Sequence, residues 1–352
     1  AITTAGISNT GIVNYRGDGT ISSTVGASGM GIKELNINTN SDQNTTAGVT
    51  ENGNIFAGNI NLKNSGTLTI ADNADLQATT TAETNVAAGD DTGTFVTTTT
   101  DATGTLTFNG TSTVTGVVGS ASNLAIGTIN AGVASETVTF NKMVYANAVA
   151  HSGTGTIVFN EGLDTTKRSV SYTTLGQIAF TANDGLVQIA SGKDLIGNVT
   201  ATNGNGTLTM IGGTQSITGD VGATGAAIKV LNIGGTNSTL GIDNSANAYS
   251  TTTINGNVFA LDTVFNNDGT TNNSTLNMVA DKSITSTITT TDNGMGILNM
   301  QGGTQTVTGT VGTNGMRLDQ VNSGVAGAST TFTANVFADT VTNTANGSST
   351  FN

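Results

Sequence analysis

The sequence predicts an all-β fold, a parallel β-helix (β-solenoid) rod of stacked short-strand coils, on three observations. A long segment recurs four times, apolar and polar residues alternate in short runs, and Gly- or Asn-containing turns interrupt each run. Self-similarity at a fixed period is the signature of a repeat architecture. Alternation with period two is that of a strand with one buried face.

The first landmark of the repeat reads IVNYRGDGTISSTVG at Ile12–Gly26, TLTFNGTSTVTGVVG at Thr105–Gly119, TLTMIGGTQSITGDVG at Thr207–Gly222 and ILNMQGGTQTVTGTVG at Ile297–Gly312. Its terminal glycines lie 93, 103 and 90 residues apart. A second landmark follows each time: NGNIFA at Asn52–Ala57, NKMVYA at Asn141–Ala146, NGNVFA at Asn255–Ala260 and TANVFA at Thr333–Ala338. A third lies between copies, as Leu68/Ile70 then Leu76, Val187/Ile189 then Leu195, and Leu276/Met278 then Ile284, with eight residues from first to last in each. The repeats run approximately over residues 1–103, 104–205, 206–295 and 296–352, the last incomplete, within a single repetitive solenoid.

Within a landmark, Leu106/Phe108 then Val114/Val118 and Leu298/Met300 then Val307/Val311 mark inward positions. Asn109-Gly110, Gly212-Gly213, Gly302-Gly303 and Gly17-Asp18-Gly19 supply the turns between them. Strands broken this often fit the sides of a coil better than long hairpins, although a β-sandwich array and an antiparallel prism share parts of the pattern. A coil of roughly 20 residues gives about 17 rungs at ~4.8 Å, hence a rod of roughly 80 Å. Leu106, Phe108, Val114 and Val118 are expected to point inward and to stack in register with Leu208, Met210, Ile217 and Val221 of the next copy. The longest spacing contains Gly155–Lys167, with Ile157 and Phe159 in alternation, which reads as one inserted rung. The chain has no Pro, as suits strands that are nearly all central in a ladder.

Composition narrows the function. The chain has 48 Gly, no Cys, no Trp, one His and 9% charged residues, with a net charge of −13. β-Branched Thr and Val favour strands while Gly and Asn favour turns. The ten basic residues are scattered, which gives no nucleic-acid footprint. Without Cys there is neither a disulfide framework nor a thiolate metal site. No apolar run is long enough for a membrane helix, so membrane contact is expected only through parts outside this sequence.

The phrases GGTQTVTGTVG, TTFTANVFADTV (Thr330–Val341) and STLNMVADKSITSTI (Ser274–Ile288) resemble the passenger repeats of the rickettsial surface cell antigens, outer membrane protein B and its relatives among them. The resemblance runs over essentially the whole chain. It implies an autotransporter passenger: a secreted β-helical protein at the bacterial cell surface, which forms a crystalline layer or attaches to host cells. The C-terminal membrane barrel that defines the family is not in this sequence.

Candidate chemistry is sparse. Arg16-Gly17-Asp18 occupies the turn where other copies carry Asn-Gly or Gly-Gly; it reads either as a solvated turn or as an integrin-like ligand for a host-cell receptor. His151 is the single histidine, which builds neither a triad nor a multi-His metal site, and it is expected as a solvated turn residue. Asp90-Asp91 and Asn266-Asn267-Asp268-Gly269 carry oxygens for Ca²⁺ but lack the recognised spacings, so no metal and no cofactor is expected. The sequons at Asn44, Asn109, Asn198, Asn205 and Asn237 are what so Asn/Thr-rich a sequence produces by chance. A polysaccharide-cleaving β-helix would need clustered carboxylates with Lys or Arg, and an enzyme is not expected. Ala1-Ile2 and Ser349-Thr350-Phe351-Asn352 both fall inside a repeat. The expectation is therefore an extracellular surface protein, either excised from a longer passenger or stacked end to end or laterally in a filament.

Overall fold

The structure is a computed structural model. It describes residues 1–4, 6–38, 47–79, 94–121, 124–167, 174–181, 184–235, 249–267, 272–324, 327–343 and 346–352. Among these, every regular element is a β-strand, and the strands pair parallel to form a β-solenoid of about 13 turns. The expected fold class is the one observed. The chain divides into two compact units, Ala1–Thr181 and Ala182–Asn352.

In the first unit a coil has three sides. Strands Leu76–Ala78, Thr94–Thr98 and Thr103–Phe108 follow one another before Val114 returns above Leu76. Inward residues stack in files along each side. Val49, Leu68, Leu106, Ile129 and Val149 form one, and Leu76, Val114, Phe140 and Phe159 another, all essentially inaccessible to solvent. The Phe140 ring meets Phe108 edge-on at 5.6 Å and lies flat on Phe159 at 5.2 Å. Each such ring contributes about 2–3 kcal/mol by burial. Among the described strands one short pair runs antiparallel, Thr166–Lys167 with Thr174–Leu175, and Ala223 and Ala226 form a single antiparallel bridge.

The second unit has the same design. Val187, Leu208 and Leu231 form one file, Ile254, Met278 and Met300 another, and Ile284, Val307, Phe332 and Phe351 a third. Phe332 and Phe351 stack at 5.0 Å.

Two expectations need correction. Coils are not uniform: bonds between adjacent coils span 19 residues at Asn160–Asn141 but 37 at Asn257–Asp220, so about 13 turns, not 17, accommodate the chain. The inward phase of Leu106, Phe108, Val114 and Val118 is correct, and all four are at most 1% exposed. Their stacking partners, however, are the adjacent coils, Leu106 on Leu68 and Ile129, and Leu208 on Val187 and Leu231. Gly155–Lys167 does supply sides of a coil, with Ile157 and Phe159 stacked on Val138 and Phe140.

The landmarks have a local cause. In all four copies the last Val of the first landmark pairs with the Ile or Val of the second: Val25 with Ile55, Val118 with Val144, Val221 with Val258 and Val311 with Val336. The Gly after that Val lies under the backbone of the aromatic residue one coil on. At Gly222, φ is 71° and a Cβ would sit 2.1 Å from the Phe259 carbonyl oxygen, so no other residue fits there. The fixed order of the two landmarks is therefore one coil seating on the next. The eight-residue step of the third landmark is a strand, a corner and the start of the next side. Each corner turns on a left-handed residue, Asn73 (φ 59°), Gly192 (φ 70°) or Asp281 (φ 62°), three positions before the final apolar residue.

Buried glutamines clamp two of these corners. Gln305 is 1% exposed; its Nε2 donates to the carbonyls of Val279 (2.8 Å), Lys282 (3.0 Å) and Met278 (3.3 Å), and its Oε1 accepts the Gly302 N–H (3.0 Å). Gln215 repeats the arrangement on Ala190, Lys193 and Ile189, with the Gly212 N–H on its Oε1.

Candidate functional site

Arg16-Gly17-Asp18 forms the exposed turn between strands Thr10–Tyr15 and Gly19–Ile21. Asp18 already has a task there, since its Oδ1 accepts the Gly48 N–H of the next coil at 2.7 Å. Other corners use the same device. Asp72 holds the Thr111 N–H at 2.9 Å, Asp194 the Ser216 N–H at 2.7 Å and Asp281 the Thr304 N–H at 2.9 Å. Asp18 thus belongs to a set of carboxylates that tie coil to coil, an arrangement stronger than a neutral bond. A receptor would have to engage a carboxylate with one oxygen so committed.

His151 is not a solvated turn residue. It ends strand Val144–His151 in phase with buried Val149, is 1% exposed, and stacks on Phe180 with ring centroids 5.3 Å apart. Its imidazole also faces Gly132, where a Cβ would lie 2.3 Å from Cε1. The alternation Val149/His151 was the available signal, overridden by the polar character of the side chain. Asp90-Asp91, Asp268-Gly269 and the sequons at Asn44 and Asn237 lie outside the described residues. Among the described residues no group of three or more His, Asp or Glu is placed to hold a metal ion.

Glu51 is a functional candidate that sequence reasoning missed. It stands in an inward file, paired with Ile21 on one side and Ile70 on the other, and is fully buried. Its Oε1 accepts the Gly53 N–H at 2.9 Å, while Oε2 has no hydrogen-bond partner. Burial pushes its pKa up to about 8, against the smaller opposing pull of the Gly53 bond. Tyr15 is raised too, by burial first and then by the charge of Glu51. The signal was the Val49/Glu51 alternation.

Outward positions carry short, uncharged polar residues in register. Thr50, Thr69, Thr107 and Asn130 follow one another on adjacent coils of the first unit. Asn36 Nδ2 donates to Asn14 Oδ1 at 2.8 Å and Asn61 Nδ2 to Asn36 Oδ1 at 2.7 Å. The second unit has a longer amide ladder: Asn277 donates to Thr253, Asn299 to Asn277 and Asn322 to Asn299, at 3.3, 2.7 and 2.7 Å. Such ladders add side-chain bonds to the backbone ladder at each coil.

Among the described residues, ion pairs contribute little beside this. Lys33–Glu34, Lys229–Asp184 and Arg317–Asp339 are solvent-exposed pairs. Comparisons with protein-family models, with curated proteins and with solved structures returned no match.

Proposed function

We propose that this chain is part of an extracellular structural protein of the autotransporter-passenger type, which forms a bacterial surface layer or filament by self-association. The observation that carries the reading is the outward array. Coil after coil presents Thr and Asn in register, as in Thr50–Thr69–Thr107–Asn130 and Thr253–Asn277–Asn299–Asn322, so the surface repeats with the coil itself. A surface that repeats in one dimension meets a second copy in many equivalent registers, a property of assembly material. The phrases GGTQTVTGTVG and TTFTANVFADTV, which resemble rickettsial surface antigen passengers, point the same way.

Adhesion to a host-cell receptor through Arg16-Gly17-Asp18 is the second reading, favoured by the exposure of that turn and opposed by the bond from Asp18 to Gly48. A polysaccharide-cleaving enzyme is a remote third. Electron microscopy of the producing cells, with the chain located by antibody, is the test. An ordered lattice or fibres carrying the label are expected; isolated labelled projections would replace assembly with adhesion.

A further inference from the structure

In the unit Ala182–Asn352, the outward faces of strands Leu186–Ile189, Asn205–Met210 and Ile228–Ile233 floor a cleft of about 220 Å³, walled by Gly235 and Asn266. The floor is set in rows, Leu186 beside Thr207 and Gln188 beside Thr209, with Thr209 beside Asn232. Most of its polar groups are bonded within the protein. Asn232 Nδ2 donates to Thr209 Oγ1 at 3.0 Å, and Asn266 Nδ2 to Asn232 Oδ1 at 3.2 Å and to the Gly234 carbonyl at 3.1 Å. Gln188 differs. It is 2% exposed, lines the cleft, and its amide has no hydrogen-bond partner among the described residues. Its amide opens to the water of the cleft and so offers both a donor and an acceptor to a partner from outside the protein.

We propose that this cleft binds one neutral sugar unit of a surface glycan, anchored by the Gln188 amide as both donor and acceptor. Among the described residues that line it there is no charged side chain, which disfavours an ionic ligand. A peptide recognised by strand addition needs a free strand edge. Here the floor is the face of strands already paired to one another, so a ligand is read by side-chain hydroxyls and amides alone. Those groups repeat at ~4.8 Å across coils and ~6.6 Å along a strand, a spread comparable to the hydroxyls around one pyranose ring. Leu186 offers an apolar edge for the C–H face of the ring, and the volume is below that of sites for drug-sized ligands. The proposal stands apart from assembly, since one molecule in solution can bind a sugar.

Ligand-observed NMR and calorimetry on the full chain test it, with neutral hexose and N-acetylhexosamine mono- and trisaccharides as probes and a uronic acid as the charged control. Saturable binding of at least one neutral probe is expected, weakened about five- to tenfold in Gln188→Leu. The thermal midpoint of Gln188→Leu should be unchanged or raised, because an amide without a protein partner is removed. Three results would overturn the proposal: no saturable binding, which leaves the amide to water only; equal binding by Gln188→Leu; or a lowered midpoint in that variant, which would give the amide a structural partner.

Discussion

Replacing Gln305 with Met keeps the length and burial of the side chain and removes all of its hydrogen bonds. The Gly302 N–H, in a buried position, then loses its acceptor, and the carbonyls of Met278, Val279 and Lys282 lose a donor. A buried donor left unpaired costs about 1–3 kcal/mol, and a partly exposed bond about 0.5–1.5 kcal/mol. The Met278 carbonyl keeps the Gln301 N–H at 2.9 Å and the Val279 carbonyl a weaker donor in the Lys282 N–H at 3.3 Å, which places the total toward the middle of the range, about 2–4 kcal/mol. Gln305→Glu should cost more, because it keeps the acceptor for Gly302 and turns a second oxygen toward three carbonyls.

Stacked coils open locally, so a single unfolding free energy blurs the effect. Urea denaturation should therefore be paired with hydrogen exchange resolved to segments. Faster exchange is expected over residues 278–284, the corner that Gln305 clamps, with the Ala1–Thr181 unit unaffected. The Gln215→Met twin acts on residues 189–195, and because the two clamps share no partner their effects should add. A change below ~0.5 kcal/mol, with exchange over 278–284 unaltered, would refute the view that the buried amide holds the corner.

Three other perturbations follow from the same physics. Glu51 holds its proton to about pH 8 when folded, against 4.5 as the ordinary value, so its protonation favours the native state fully below pH 4.5 and loses that effect as pH rises to 8; the stability difference between Glu51→Gln and the parent should widen in the variant's favour across this window, and a pH-independent difference would contradict a buried neutral acid. Gly222→Ala drives a Cβ to 2.1 Å from the Phe259 carbonyl and should cost about 3 kcal/mol or more, whereas Gly225→Ala, with φ 76° but open space, should cost about 1 kcal/mol; equal urea midpoints for the two would mean that conformation rather than contact sets the price. Phe108→Asp places a charge in the file of Ile70, against the Phe140 ring, and should cost several kcal/mol, read as lost exchange protection over 105–114; retained protection there would contradict the inward phase.

Fold class and inward phase were legible because alternation and repetition are properties of the sequence itself. Leu68/Ile70/Leu76 and its two counterparts announce a strand, a corner and a strand, and the corner residue Asn73, Gly192 or Asp281 is of the kind that takes positive φ. What alternation did not reveal is which polar residues also face inward. Glu51, His151, Gln215 and Gln305 all sit in phase with apolar neighbours, yet polarity alone assigns them to the surface. Their placement depends on partners about one coil away, such as Phe180 for His151 or the Val279 carbonyl for Gln305, and nothing in the local pattern names those partners. Gln188 was hidden for the opposite reason: an outward residue in an ordinary strand, it is made distinctive only by the wall that Gly235 and Asn266 raise beside it.

The failed register expectation has a geometric cause that also bears on assembly. In the first unit Val25 stacks under Ile55, Leu76 and Val114, so three coils after the first landmark the chain returns to Val114, whereas the residue equivalent to Val25 is Val118, one side further on. The second unit repeats this: Val221 stacks under Val258, Ile284 and Val307, and the equivalent of Val221 is Val311. Each of these copies is three coils plus one side of a three-sided coil. Within each unit, equivalent residues of the two copies therefore lie on adjacent faces and do not stack on one another. For the proposed surface material, the consequence is that within each unit no single face collects both Val-Gly corners. Lateral association through that corner would have to turn by one face per copy, whereas association through the Thr and Asn files, which repeat with every coil, needs no such turn. The self-association proposed for this protein should accordingly be sensitive to charge placed in a file, as in Thr69→Lys with Thr107→Lys, and insensitive to charge at a single corner turn such as Asn314-Gly315; the reverse pattern in sedimentation would assign assembly to the corners.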